Sequence, residues 1–218
     1  MKSSSRHFTQ TGFTFVALLV ILAVLALLAA MLLPALAAAK NKSKRIQCVN
    51  NLKQCGLAFR IWEGDHNDEC PMDVPMAKGG TKEIDTGADT FRHFQVMSNE
   101  LSTPKILICP ADTRTVADNF AILKNQNVSY FVSLDASETL PQMFLDGDRN
   151  LTSDDQPKNG ILKLVPGQRL SWTPSIHVNQ GNVGLADGSV QQLSDSGLHR
   201  ALQNTGAPTN TWRISLPE

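Results

Sequence analysis

Three sets of residues have types and spacings that chemistry would use. The first is the stretch Asp146-Gly147-Asp148-Arg149-Asn150-Leu151-Thr152-Ser153-Asp154-Asp155. Asp146, Asp148 and Asn150 alternate as the first oxygen ligands of a calcium loop do. The match then breaks: Leu151 stands where the loop needs glycine, and Pro157 where a bidentate glutamate belongs. The stretch reads as a solvated acidic turn, with calcium at those three residues as the alternative. The second set is His177, then nine residues, then Asp187-Gly188. A His–Asp pair can do acid–base or metal chemistry. Here no third partner stands at fixed spacing, and no G-x-S-x-G nucleophile motif is present. Turn formation alone accounts for Asp-Gly. The pair is therefore expected to be structural, and the chain not to be an enzyme.

The third set is the cysteines, Cys48, Cys55, Cys70 and Cys109. No C-x-x-C pair occurs, so spacing gives no zinc signature. Cys48 and Cys55 stand seven residues apart on one expected helix, about 10 Å along its axis. A disulfide needs Cα atoms within roughly 7 Å, so these two do not bridge each other. A bridge would join the helix to Cys70 or Cys109, or join those two. Otherwise the four are buried thiols acting as small hydrophobes.

These residues need elements to hold them. Cys48, Leu52, Cys55, Phe59 and Trp62 recur at spacings of 4, 3, 4 and 3, which is one apolar stripe on a helix. The turn formers of residues 64–68 end it. Residues 71–88 read as a loop. Phe91, Phe94, Met97 and Leu101 predict a short amphipathic helix with Asp89 as its N-cap. Residues 105–109 read as a short buried strand, and 128–134, 161–165 and 169–172 as further strands. Residues 182–186 and 189–193 flank Asp187-Gly188, a strong two-residue hairpin signal. A helix is expected at 198–203 and a last edge strand at 211–216. The class is α+β, with one long helix packed on an antiparallel sheet.

The N-terminal side is more unusual. After Gly12 come 27 residues without a charge, 13–39, and about 20 suffice to cross a bilayer core. Lys2 and Arg6 precede them, which keeps the N-terminus in the cytoplasm. An ordinary signal peptide has a shorter apolar region, about 7–15 residues. A plain signal anchor accounts for the length but not for the Gly-Phe-Thr step. Removing residues 1–12 takes away Lys2 and Arg6 and no acid, leaving 18 basic and 20 acidic residues and a formal charge of −2. That is no footprint for nucleic acid.

Gly12-Phe13-Thr14-Phe15-Val16 resembles the cleavage signal of type IV prepilins and type II secretion pseudopilins. Pro34 fits the same resemblance, and it should kink the helix. The segment from Arg45 through Cys48, Asn51, Leu52 and Cys55 to Ala58 is similar to the stem of the large pseudopilin-like sets of Planctomycetes and Verrucomicrobia, and so is His177 with Asp187-Gly188. The resemblance implies a leader at 1–12, a transmembrane segment at 13–39, a helical stem at 40–64 and a pilin-like α+β head at 65–218. It implies cleavage between Gly12 and Phe13 by a prepilin peptidase that also methylates Phe13. It further implies a single-pass inner-membrane protein in contact with lipid, its head in the periplasm, joined by other pseudopilin subunits and an inner-membrane assembly platform. Some members of the family bind calcium in a head loop. The fifth mature position, usually glutamate, is Ala17, which suits a minor or initiating subunit. The alternative is a membrane-anchored periplasmic binding protein or enzyme with a prepilin-like leader.

Overall fold

The computed structural model describes residues 14–165, 167–206 and 211–217. Gly12 and Phe13 lie outside them. The chain divides into two compact units, Met1–Lys40 and Asn41–Glu218.

One helix, α1 (Phe15–Gly64), contributes to both. The Thr14 hydroxyl accepts a hydrogen bond from the Ala17 N–H at 3.3 Å and so caps its first turn. In the first unit α1 is apolar throughout and exposed, with Leu25 at 56% and Leu32 at 67%. Its most apolar 18-residue window has a mean hydropathy of 3.2 and is 0% buried, so the helix is long and apolar enough to cross a membrane. Pro34 lies inside the helix.

In the second unit the helix changes character. Cys48, Leu52, Cys55, Phe59 and Trp62 are all buried, as their spacing requires. Burying a large apolar side chain contributes about 1.5–3 kcal/mol, so this stripe alone is a major part of the core. Phe59 packs edge-on against Phe94, ring centroids 6.2 Å apart. Asn67 and Asp68, both at φ 59°, turn the chain away after Gly64, and the Asp68 N–H donates to the Glu63 carbonyl at 3.0 Å.

The head is built on a six-stranded, fully antiparallel sheet. Its strands are β1 (Tyr130–Ser133), β2 (Phe144–Asp148), β4 (Ile161–Leu164), β6 (Gly181–Leu185), β7 (Val190–Leu193) and β8 (Trp212–Ser215). Their order is β4-β8-β1-β2-β6-β7. β3 (Leu151–Ser153) and β5 (Leu170–Trp172) form a separate two-stranded sheet. Tyr130 and Val132 of β1 join the α1 stripe in one core, while Phe131, Phe144, Val183 and Trp212 face a second core with Leu198 and Leu202 of α4 (Asp195–Gln203). A register shift between Phe144 and Asp146 lets Leu145 enter the α1-side core. β2 and β6 are buried at every residue, because both faces of the sheet are covered.

The structure departs from the sequence reading at several points. Phe91, Phe94, Met97 and Leu101 lie on two short helices, α2 (Phe91–Gln95) and α3 (Ser98–Leu101). Asp89 does not cap them: it closes a 3₁₀ turn and pairs with Arg92 at 2.9 Å. The expected strand at 105–109 is instead a 3₁₀ turn, Pro104–Leu107, opened by Pro104 and by Thr103, whose hydroxyl accepts from the Lys105 N–H. β8 is no edge strand, since it pairs with both β1 and β4. Ser194 caps α4 and starts it three residues earlier than expected. The hairpin at Asp187-Gly188 has a longer loop than two residues. Leu185 and Ser189 flank it, and only Gly188, at φ 80°, is left-handed. A two-residue type I′ turn would need Asp187 there as well.

His93 of α2 is fully buried. Its Nδ1 meets the Thr81 hydroxyl at 2.8 Å, and its Nε2 has no partner among the described residues. Burial lowers its pKa to about 4. Between about pH 6.5 and 4 the unfolded chain therefore takes up a proton that the folded chain refuses, and stability falls as pH falls. By pH 4 the loss is on the order of 3 kcal/mol. Melting curves of the detergent-solubilised chain and its His93→Gln variant should diverge in slope below pH 6.5, the wild type declining more steeply. Parallel pH profiles would show that His93 is not held neutral.

Candidate functional site

Four side chains from four separate parts of the fold converge where α1 crosses the end of β2. Cys48 stands on the buried face of α1. Cys109 follows the 3₁₀ turn at Pro104–Leu107, and its carbonyl accepts from the Asp112 N–H at 2.9 Å. That turn is tied to the sheet by Arg149, which makes two 2.8 Å bonds to the Asp112 carboxylate. Asp148 is the last residue of β2. His177 lies between β5 and β6, in a segment closed around one amide. The Asn150 Nδ2 donates to the carbonyls of Thr173, Ile176 and Gln180 at 2.9, 3.0 and 3.2 Å. Arg45 of α1 holds the same segment from outside, donating to the Gln180 side chain and to the Gly181 carbonyl.

The backbone there is strained. His177, Val178 and Asn179 have φ of 54°, 53° and 57°. The left-handed region costs an L-residue roughly 1–2 kcal/mol. It is most unfavourable for a β-branched residue such as Val178. Such a run persists only where its surroundings over-determine it.

The four donor atoms lie within 4.8 Å of one another. The Cys48 thiol donates to Asp148 Oδ1 at 3.0 Å. Cys109 Sγ is 3.2 Å from His177 Nε2, which is 3.5 Å from Asp148 Oδ2. The side chains of His177 and Asp148 are 2% and 0% exposed. Around them, the backbone and side-chain N–H groups of Asn182 donate to Asp148 Oδ2 at 2.8 and 2.9 Å, and the Tyr130 hydroxyl is 3.6 Å from Cys48 Sγ. Burial, opposed by these hydrogen bonds, pushes the Asp148 carboxyl up to about 7. Burial also raises the Cys48 thiol, while its hydrogen bond and the neighbouring His177 hold the Cys109 thiol down.

The arrangement differs from a Cys–His–Asp triad. In a Cys–His–Asp triad the acid holds one ring nitrogen and the thiol meets the other. Here Cys109 and Asp148 both face Nε2 of His177. All four donors point at one common volume, which is the arrangement of a ligand set.

The sequence-derived candidates scatter differently from their expected grouping. Asp146 and Asp148 lie on a buried strand, not in a solvated turn. Only Asp148 joins the cluster. Asp146 is fully buried beside Gly184, its carboxylate oxygens have no hydrogen-bond partner among the described residues, and burial pushes its pKa up. Asn150 donates its side-chain amide to three carbonyls. His177 and Asp187-Gly188 do not meet. Asp187 Oδ1 accepts from the Ser189 N–H at 2.8 Å within the turn. Arg60 of α1 donates to the Asp187 carbonyl at 2.5 Å. A side chain on Gly188 would strike that arginine. All four cysteines are free. Cys55 is simply buried, and Cys70 donates to Glu63 Oε1 at 2.6 Å. Arg45, Tyr130 and Asn182 were visible only as members of a stem segment and of two strands, with no signal that they would meet at one site.

Comparison of the chain with protein-family models, curated proteins and solved structures finds no match.

Asn150 is the clasp of the His177 segment. Asn150→Leu keeps the γ-branched shape and strips three carbonyls of their donor. An unsatisfied buried group costs about 1–3 kcal/mol, so a loss of roughly 2–4 kcal/mol is expected, read by urea denaturation. Amide exchange over residues 173–180 should accelerate in the same variant. A loss under about 0.5 kcal/mol would mean that the segment holds itself in place.

Proposed function

We propose that this chain is a structural subunit of a type II secretion or type IV pilus-like filament, a pseudopilin-like protein that acts by assembly and not by catalysis. The observation that carries the reading is the divided character of α1. Its first part is apolar on every side and exposed, and its second part is buried along one stripe against an antiparallel sheet. A helix of the first kind can exchange lipid for neighbouring subunit helices at little hydrophobic cost. Close packing at small residues such as Ala26, Ala29 and Ala30 then favours association. Cleavage after Gly12, methylation of Phe13 and extraction by an inner-membrane platform complete the reading, with the head in the periplasm.

Ala17 refines it. A carboxylate at that depth costs about 2.5–3.5 kcal/mol on insertion scales, so a subunit carrying one gains by meeting a neighbour's terminal amine. This chain offers the amine of Phe13 but no acid, as suits a minor or initiating subunit.

Mass spectrometry of membrane-extracted protein should find a mature chain beginning at Phe13 with one added methyl. A chain beginning at Lys40 would identify an ordinary signal peptide and end the filament reading. Ala17 generates a separate expectation. Expressed with an assembly platform but without partner pseudopilins, the protein should give no filaments, and Ala17→Glu should increase polymerisation. Abundant homopolymers of the unmodified chain would refute the minor-subunit assignment.

A further inference from the structure

We propose that Cys48, Cys109, Asp148 and His177 are the four ligands of a structural zinc ion that fastens the stem part of α1 to the head sheet. The donor chemistry is the first argument. Two thiolates, an imidazole and one carboxylate form a set that suits zinc, whereas magnesium and calcium prefer all-oxygen shells.

Geometry is the second. With Zn–S bonds near 2.3 Å and Zn–N and Zn–O bonds near 2.0–2.2 Å, a tetrahedral site has donor–donor edges of about 3.3–3.8 Å. Cys48 Sγ is 3.0 Å from Asp148 Oδ1, Cys109 Sγ is 3.2 Å from His177 Nε2, and His177 Nε2 is 3.5 Å from Asp148 Oδ2. One ligand atom from each of the four residues lies within 4.8 Å of the others, so modest side-chain adjustment brings the set to a tetrahedron around an ion. Both neighbours of the imidazole face the same nitrogen, which ligation explains and a proton relay does not.

The surroundings are the third. Asn182 orients the carboxylate through two N–H groups, and the Tyr130 hydroxyl stands beside Cys48 Sγ, as expected of groups behind a ligand shell. Two thiolates and a carboxylate exceed the charge of Zn²⁺ by one, and the guanidinium of Arg45 lies close enough to interact with both Asp148 and Cys48. On binding, the thiol protons leave to solvent and two Zn–S bonds form; nothing is oxidised or reduced. Four protein ligands fill a tetrahedron and leave no place for water or substrate, so the site is structural in kind. A groove of about 660 Å³ bordered by Arg45, Ala111, Pro174 and His177 reaches one of the four ligands from outside.

The competing chemistry at the same place is a Cys48–Cys109 disulfide, and the test separates the two. The full chain, purified in detergent without chelators or thiol reagents, should carry close to one zinc per chain by elemental mass spectrometry. Cobalt added to the chelator-treated chain should give the intense visible absorption of a tetrahedral thiolate centre. Chelation should lower the melting temperature, and zinc should restore it. Cys109→Ser and His177→Gln should each reduce bound zinc at least tenfold, while Cys55→Ser, a buried cysteine outside the cluster, should leave it unchanged. If the ligand variants fold poorly, the cobalt spectrum and zinc content of the wild type still decide. A zinc-exposed wild type holding less than a fifth of an equivalent, or a peptide map with Cys48 joined to Cys109, would overturn the proposal. Whether the mature chain begins at Phe13 has no bearing on this outcome.

Discussion

The head depends on one contact, the packing of the α1 face between Arg45 and Glu63 against β1 and β2 and the segments around them. Three points along that face meet the sheet side in order. Arg45 grips the start of β6, Cys48 meets Asp148 at the end of β2, and Arg60 covers the turn after β6. Cys48 and Arg60 are twelve residues apart, which is about 18 Å along a helix. The ten-residue interval from His177 to Asp187 spans that distance on the sheet side. The nine-residue gap of the motif therefore sets a length, and its two ends need not touch.

Close approach is what allows this contact, and glycine supplies it. Gly184 lies opposite Asp146, where any side chain would collide with the carboxylate. Gly56 of α1 comes to the backbone of Gly188, and only a left-handed residue completes the loop there. A side chain at Gly184 would force Asp146 to move, and one at Gly188 would displace the Arg60 head group by a few tenths of an ångström.

The parts of this fold that were legible in the sequence are those written in a local period. The stripe from Cys48 to Trp62, the strand around Tyr130 and the hairpin at Asp187-Gly188 each carry their own pattern. The 3₁₀ turn at Pro104–Leu107, read as a strand over 105–109, was illegible because Thr103-Pro104 imposes a tight turn on an apolar run, and apolar runs look alike whichever backbone they adopt. Asp146 and Asp148 misled for a different reason. Carboxylates are rarely buried without partners, so a cluster of them argues for solvent. Here Asp148 has its partners in residues distant along the chain, and burial raises the pKa of Asp146. The candidate site itself has no sequence signature: its four donors come from a helix, a turn, a strand and a loop, and each was visible only as a member of some other set.

The position of β8 inside the sheet has a consequence for the order of events in the cell. It is the last made of the eight strands, yet β4 and β1 both hydrogen-bond to it. Until residues 212–215 emerge, β4 has no partner in the main sheet, and the half-built layer shows an open edge. The apolar stripe of α1 has its core partners sooner, in segments from Cys70 to Ile176. The second core is the one that waits, for Trp212 and Ile214. At about 5–20 residues per second, the roughly 80 residues between Phe131 and β8 take on the order of 4–16 s to synthesise. For that interval Phe131, Phe144 and Val183 stand in an unfinished core.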